Sequence, residues 1–156
     1  MYSPLQLNQL AVDDYHRALR QAQKRRLTSL VLRRKNHLLS LEAVLERARI
    51  VGQRSLGICT VALDEIIGSS GRTGDFDRGF MPRRQNTMER WLAVVRAWYR
   101  GIPLPPVELR KVNDAYFVID GHHRISVARL RGQDFIEAEV IEMEVEGDLG
   151  ELCCAR

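Results

Sequence analysis

Phe117-Val118-Ile119-Asp120-Gly121-His122-His123-Arg124-Ile125-Ser126-Val127-Ala128 is the stretch around which the chain is organised. An apolar run stops at Asp120-Gly121, and Ile125, Ala128, Arg129 and Leu130 then recur at helical spacing. The pattern predicts a strand, a tight turn and a helix start in immediate succession. The first turn of a helix leaves backbone N–H groups without partners and carries partial positive charge. With a glycine opening that turn and an arginine inside it, Gly121 to Arg124 is a candidate anion site suited to a phosphate.

Upstream, Val107 to Val112 and Ala115 to Ile119 flank Asn113-Asp114, which predicts a β-hairpin whose second strand delivers the chain into the turn. Pro103, Pro105 and Pro106 force an extended connection before it. Ahead of the prolines, Met88, Trp91, Leu92, Val95, Trp98 and Tyr99 form one helical stripe ending at Gly101, and Asn86 with Glu89 gives a capping-box-like start. Both tryptophans lie on that stripe and read as core residues rather than base-stacking platforms. The segment from Gly68 to Pro82 is rich in glycine, charge and aromatics and predicts a structured loop. Its Arg72, Asp75 and Asp77 are candidate ligand-pocket residues, and Phe76 and Phe80 are its candidate anchors. A short β-branched run from Gly57 predicts a strand ending near Ala62, followed by a turn-like Leu63-Asp64-Glu65-Ile66.

The first fifty residues hold ten Lys and Arg against four Asp and Glu, so the net charge of +4 is concentrated in one region. Apolar positions from Leu5 to about Asn36 recur at helical spacing, and Ser40 begins a second helical segment from Leu41 to Val51, with Gly52 as its stop. Residues 1–52 therefore read as a basic helical arm or hairpin, and 53–156 as the main domain. Arg25, Arg26, Arg33 and Arg34 are candidate nucleic-acid contacts. Their two clusters lie about nine residues apart, or two and a half turns, so they do not share one helix face.

Downstream, Gly132 ends the second helix, and Phe135 to Val145 alternates apolar and acidic residues. The alternation slips phase at Val140-Ile141, predicting a bulge or two short strands. Eight acids and no base fall between Asp134 and Glu151, so this segment by itself does not bind polyanions. It could instead pair with the basic arm of the same or a neighbouring chain.

A composition of 45% hydrophobic and 28% charged residues is that of an ordinary globular chain. No apolar run approaches the roughly 20 residues needed to cross a bilayer, and the first residues lack a signal-peptide pattern, so a cytoplasmic location and no membrane partner are expected. Cys59 and the adjacent Cys153-Cys154 give neither a disulfide framework nor metal-ligand spacing.

In this order of elements, Val61-Ala62-Leu63-Asp64-Glu65-Ile66 followed by Arg72, then Leu104-Pro105-Pro106-Val107-Glu108-Leu109, then Asp120-Gly121-His122-His123-Arg124 with Ala128, resemble the ParB/sulfiredoxin superfamily. The resemblance runs from about Cys59 to Met143. It implies an α+β fold in which a small mixed sheet is packed by helices, here preceded by the helical arm. It also implies that Gly121, His122, His123 and Arg124 grip a nucleotide's phosphates, with Arg72 in support; Ser126, in the same helical turn, is a further candidate phosphate-binding residue. Partition proteins of the family resemble Gly-Glu-Arg-Arg-x-Arg at this turn, and the glutamate and two arginines are missing here. The chain also ends soon after its last strand, where a helix-turn-helix domain would be expected. Sulfiredoxins resemble Gly-Cys-His-Arg, and His122 stands where their reactive cysteine would be, so the sulfinic-acid chemistry has no nucleophile.

The remaining branches are nucleotide-using phosphotransferases and proteins described as nucleases. There His122 and His123 are candidate catalytic groups, as general base or as imidazolium facing developing charge. Asp120, Asp75 and Asp77 are candidate ligands for Mg²⁺. The leading expectation is a nucleotide- or phosphate-binding domain with Mg²⁺-dependent phosphoryl transfer or hydrolysis. Two alternatives stand beside it: a nucleic-acid-binding protein, with or without nuclease activity, that uses the basic arm, and a non-catalytic interaction protein that forms homo-oligomers.

Overall fold

The computed structural model describes residues 1–150, so Cys153, Cys154 and the end of the acidic segment at Glu151 lie outside the described residues. Helix α1 spans Pro4–Val31, its start fixed by a capping box between Ser3 and Gln6. A two-residue strand β1 (Leu39–Ser40), a short α2 (Leu41–Leu45), β2 (Ala48–Ala62) and β3 (Ile66–Ser69) follow. Then come α3 (Met88–Tyr99), β4 (Val107–Val112), β5 (Ala115–Asp120), α4 (His122–Leu130) and β6 (Phe135–Gly147). The fold is α+β, as expected, with one six-stranded mixed sheet in the order β1-β3-β5-β4-β6-β2.

Strands β1, β3 and β5 are parallel, β5 and β4 form the antiparallel hairpin across Asn113-Asp114, and β4 runs parallel to β6. Both faces of the sheet are covered by apolar contacts. Val107, Leu109, Val118, Ala138 and Val140 meet Ile125 and Ala128 of α4 on one face. Val112, Phe117 and Met143 meet Leu41 of α2 on the other. Helix α1 joins α3 and α4 in a third cluster built on Ala11, Tyr15, Trp91 and Val127.

Several sequence readings are corrected. The segment from Leu41 to Val51 is not one helix: α2 stops at Leu45 and the chain is in β2 from Ala48, so Gly52 lies inside a strand. The β-branched pair Ile50-Val51 favours an extended ladder, and β6 supplies its partner, which a local capping signal does not reveal. Ile66 begins a strand rather than completing a turn, because β5 offers a parallel partner. Asn86 does not cap α3; Thr87 occupies that position without a side-chain bond, after a 3-10 turn over Gln85–Thr87. The phase slip at Val140-Ile141 marks where β6 stops feeding one face of the sheet and starts feeding the other, since β6 itself is continuous. The irregularity lies opposite it, between Ser55 and Gly57 of β2. Trp91 is fully buried, its Nε1–H donating to Ser126 Oγ at 2.9 Å, but Trp98 is 42% exposed beneath the Arg131 guanidinium.

Candidate functional site

The turn and the loop after β3 meet because β3 and β5 are adjacent and parallel, with Ser69 at the end of β3 paired to Val118, two residues before β5 ends at Asp120. Ligands of open α/β sheets favour the carboxyl ends of such strands. Gly121 has φ +105°, and a Cβ there would lie 2.5 Å from Val107 Cγ1, so both backbone conformation and space demand glycine. Helix α4 starts at the next residue, and no side chain caps it. The first-turn N–H groups therefore lack an intrahelical acceptor.

Both histidines of that first turn are buried. His122 Nε2 lies 2.6 Å from Ser69 Oγ, and the Ser69 hydroxyl is also 2.6 Å from the Gly71 carbonyl. The hydroxyl donates to that carbonyl and accepts the Nε2–H, which fixes the His122 tautomer. Phe76 stacks on the His122 ring at 5.9 Å between centroids and meets the His123 ring edge-on at 5.4 Å. The Arg72 guanidinium lies 5.9 Å from the Phe76 centroid, while its Nε donates to Asp75 Oδ2 at 3.1 Å. His123 differs from its neighbour: only 9% exposed, it has both ring nitrogens without a hydrogen-bond partner among the described residues.

Burial, followed by the Arg72 charge, lowers the His122 pKa from 6.5 to about 4. Burial, followed by Arg72, His122 and Arg90, does the same to His123, also to about 4. Both imidazoles are neutral at pH 7, able to accept a proton or donate through N–H but carrying no charge.

The other residues singled out in the sequence are arranged differently. Arg124 donates to the carbonyls of Pro105 and Pro106 at 2.6 and 2.9 Å and to Asp120 Oδ2 at 2.7 Å, tying the proline segment to α4. Ser126 is buried under Trp91 and accepts its indole N–H, so it serves the core rather than the turn. Asp77 is buried as a loop staple, accepting from Gly79 N and Met81 N and from Arg25 at 3.0 and 3.1 Å. Asp77, expected as a Mg²⁺ ligand, and Arg25, expected to contact nucleic acid, are thus paired with each other. With Asp75 held by Arg72 and Asp120 by Arg124, no group of three His, Cys, Asp or Glu among the described residues could hold a metal ion. Arg26, Arg33 and Arg34 are exposed.

Two participants, Ser69 and Glu42, were missed in the sequence, and Phe76 was read only as a loop anchor. Ser69 and Phe76 belong to a loop whose glycines announced a turn but not its contents. Glu42, at the start of α2, accepts from Ser70 Oγ at 2.5 Å and from Gly71 N at 3.5 Å, joining α2 to the end of β3. The Ser70 hydrogen bond is the main cause that lowers the Glu42 pKa. Nothing in the local sequence around Glu42 signals a contact with residues so distant in the chain.

No protein-family model, curated protein or solved structure matches this chain. No helix among the described residues is long and apolar enough to cross a membrane.

Proposed function

We propose that the chain is a ParB/sulfiredoxin-like domain that binds a nucleotide or other phosphate ligand at the start of α4. The observation that carries this reading is the buried His123 ring, partnerless at both nitrogens, beside an uncapped helix N-terminus and the Arg72 guanidinium. A buried polar group without a partner costs about 1–3 kcal/mol, and a ligand oxygen accepting from the imidazole would relieve that cost. The amides of His122, His123 and Arg124 supply further donors, and Arg72 supplies charge. Arg124 enters by exchanging the Asp120 carboxylate for a phosphate oxygen, one anion for another.

Phosphoryl transfer or hydrolysis is the chemistry attached to this reading, with neutral His122 or His123 as proton acceptor. Asp75, Asp77 and Asp120 are spent on arginines and amides, so Mg²⁺ is retained only as the ion that accompanies nucleotide phosphates.

A thermal-shift series with nucleoside di- and triphosphates, with and without Mg²⁺, tests the reading on wild type, His123→Ala and Arg124→Ala. At least one nucleotide should raise the wild-type Tm, and both variants should respond less. No response from wild type, or an equal response from all three proteins, overturns the assignment.

A further inference from the structure

Two surfaces of this chain are apolar, exposed and uncovered among the described residues. One is the outer face of the last two turns of α1, where Leu27, Leu30 and Val31 recur at i, i+3, i+4 spacing; Leu30 is 67% and Val31 81% exposed. Lys24, Arg26 and Arg33 surround this stripe, all exposed and none with an ion pair among the described residues, whereas Arg34 lines the recess on the inner side with Arg25. The opposite face of the same turns, with Arg25, Thr28 and Ser29, is the one turned toward the rest of the molecule: Arg25 reaches Asp77 across it. The stripe is therefore not a packing face of the monomer.

The other surface is a groove of about 360 Å³ between the proline segment, α4 and the start of β6. Trp98, Ile102, Leu104, Val127 and Phe135 line it, and Phe135 is 59% exposed. Asp134 and Glu137 flank that phenylalanine, exposed and without an ion pair among the described residues. A concave apolar surface with an acidic rim complements an apolar helical stripe with basic flanks, which is the geometry of helix-in-groove recognition. A nucleic-acid backbone would use the cations and leave the stripe exposed. A membrane would cover the stripe and leave the groove empty.

The α1 tip cannot reach the groove of its own chain. Asp14 of α1 is fastened to Tyr99 and Arg131 at the groove's end of the molecule. Leu30 lies a further sixteen residues along the same helix, roughly 24 Å away. The α1 tip can therefore enter such a groove only on another molecule. We infer that the α1 tip of one copy, through Leu27, Leu30 and Val31, docks in the Trp98–Phe135 groove of a second copy, with Arg26 and Arg33 facing Asp134 and Glu137. Such a contact joins two different surfaces, so it either closes reciprocally or as a ring, or propagates along a filament. Arg124, which the phosphate reading uses, also lines this groove, but the docking contact itself requires no bound phosphate.

Light scattering coupled to size exclusion over a dilution series tests this with wild type, Leu30→Asp and Phe135→Glu. Both substitutions are at exposed positions, and circular dichroism checks that each variant retains its fold. Wild type should assemble in a concentration-dependent manner, and each variant alone should be monomeric. Mixing the two should restore a one-to-one complex, because the first keeps its groove and the second keeps its helix. A wild type that stays monomeric throughout, variants that assemble like wild type, or a mixture that fails to associate overturns the inference. So does a monomeric wild type whose stripe binds anionic vesicles or duplex DNA in a Leu30-dependent way.

Discussion

The start of α4 and the tip of α1 break opposite halves of the same rule. Among the described residues, a polar ring at α4, His123, is buried with nothing to bond, and apolar side chains at the tip of α1 are exposed with nothing to cover them. The first is confined and stacked, which suits a small polar ligand. The second is broad and ringed by charge, which suits a macromolecular surface. A buried unpaired group costs stability at once, whereas an exposed leucine costs the monomer little. Substitutions should therefore behave differently in the two regions.

The largest effect is expected at Gly121. Replacement by alanine combines a left-handed backbone for a residue with Cβ and an overlap with Val107, and should destabilise by about 3 kcal/mol or more in denaturant unfolding. Asp77→Ala should cost about 3 kcal/mol by the same measurement, because it leaves the Gly79 and Met81 amides and Arg25 without their acceptor.

His123→Leu should change stability in the opposite direction, by about 1 kcal/mol, since an apolar group of similar size removes the unsatisfied nitrogens. It should abolish any nucleotide response at the same time. A variant that is both more stable and ligand-blind would establish His123 as a group held for function rather than for folding. A destabilised variant would mean that the ring has a structural partner after all.

The histidines also set a pH dependence. Their pKa values are about 4 in the folded chain against 6.5 ordinarily, so the unfolded chain takes up protons first as pH falls. The pair's contribution is intact above pH 6.5 and is lost progressively between 6.5 and about 4. Urea midpoints measured across that window should fall for wild type and fall less steeply for His122→Gln and His123→Gln. The smallest effect is expected at the other region. Leu30→Gln should alter monomer stability by no more than about 0.5 kcal/mol, and a larger loss would mean that the stripe packs within its own chain.

The legible part of the fold was its local grammar. The Asn113-Asp114 hairpin, the helix beginning after Gly121 and the stop near Gly132 follow from turn residues and periodicity, and the structure has all three. The length of β2 was not legible, because a 15-residue edge strand depends on β6, far along the chain, rather than on its own propensity. At the site, Gly121, His122, His123 and Arg72 were legible as polar residues on a turn and a loop. Their assignments were not: Arg124 and Arg25 carry charges that the sequence offers to solvent and the fold spends on Asp120 and Asp77. Composition announces a charge, but only the packed chain decides which charges are left over.

The most direct measurement is a backbone amide NMR titration with inorganic pyrophosphate, followed by the nucleotide that gives the largest thermal shift. Binding at the start of α4 predicts saturable shifts of the His122, His123 and Arg124 amides together with those around Arg72, and a rise in the His123 pKa as the bound anion favours its protonated form. Shifts confined to the basic tip of α1, or no saturable shift anywhere, would contradict it.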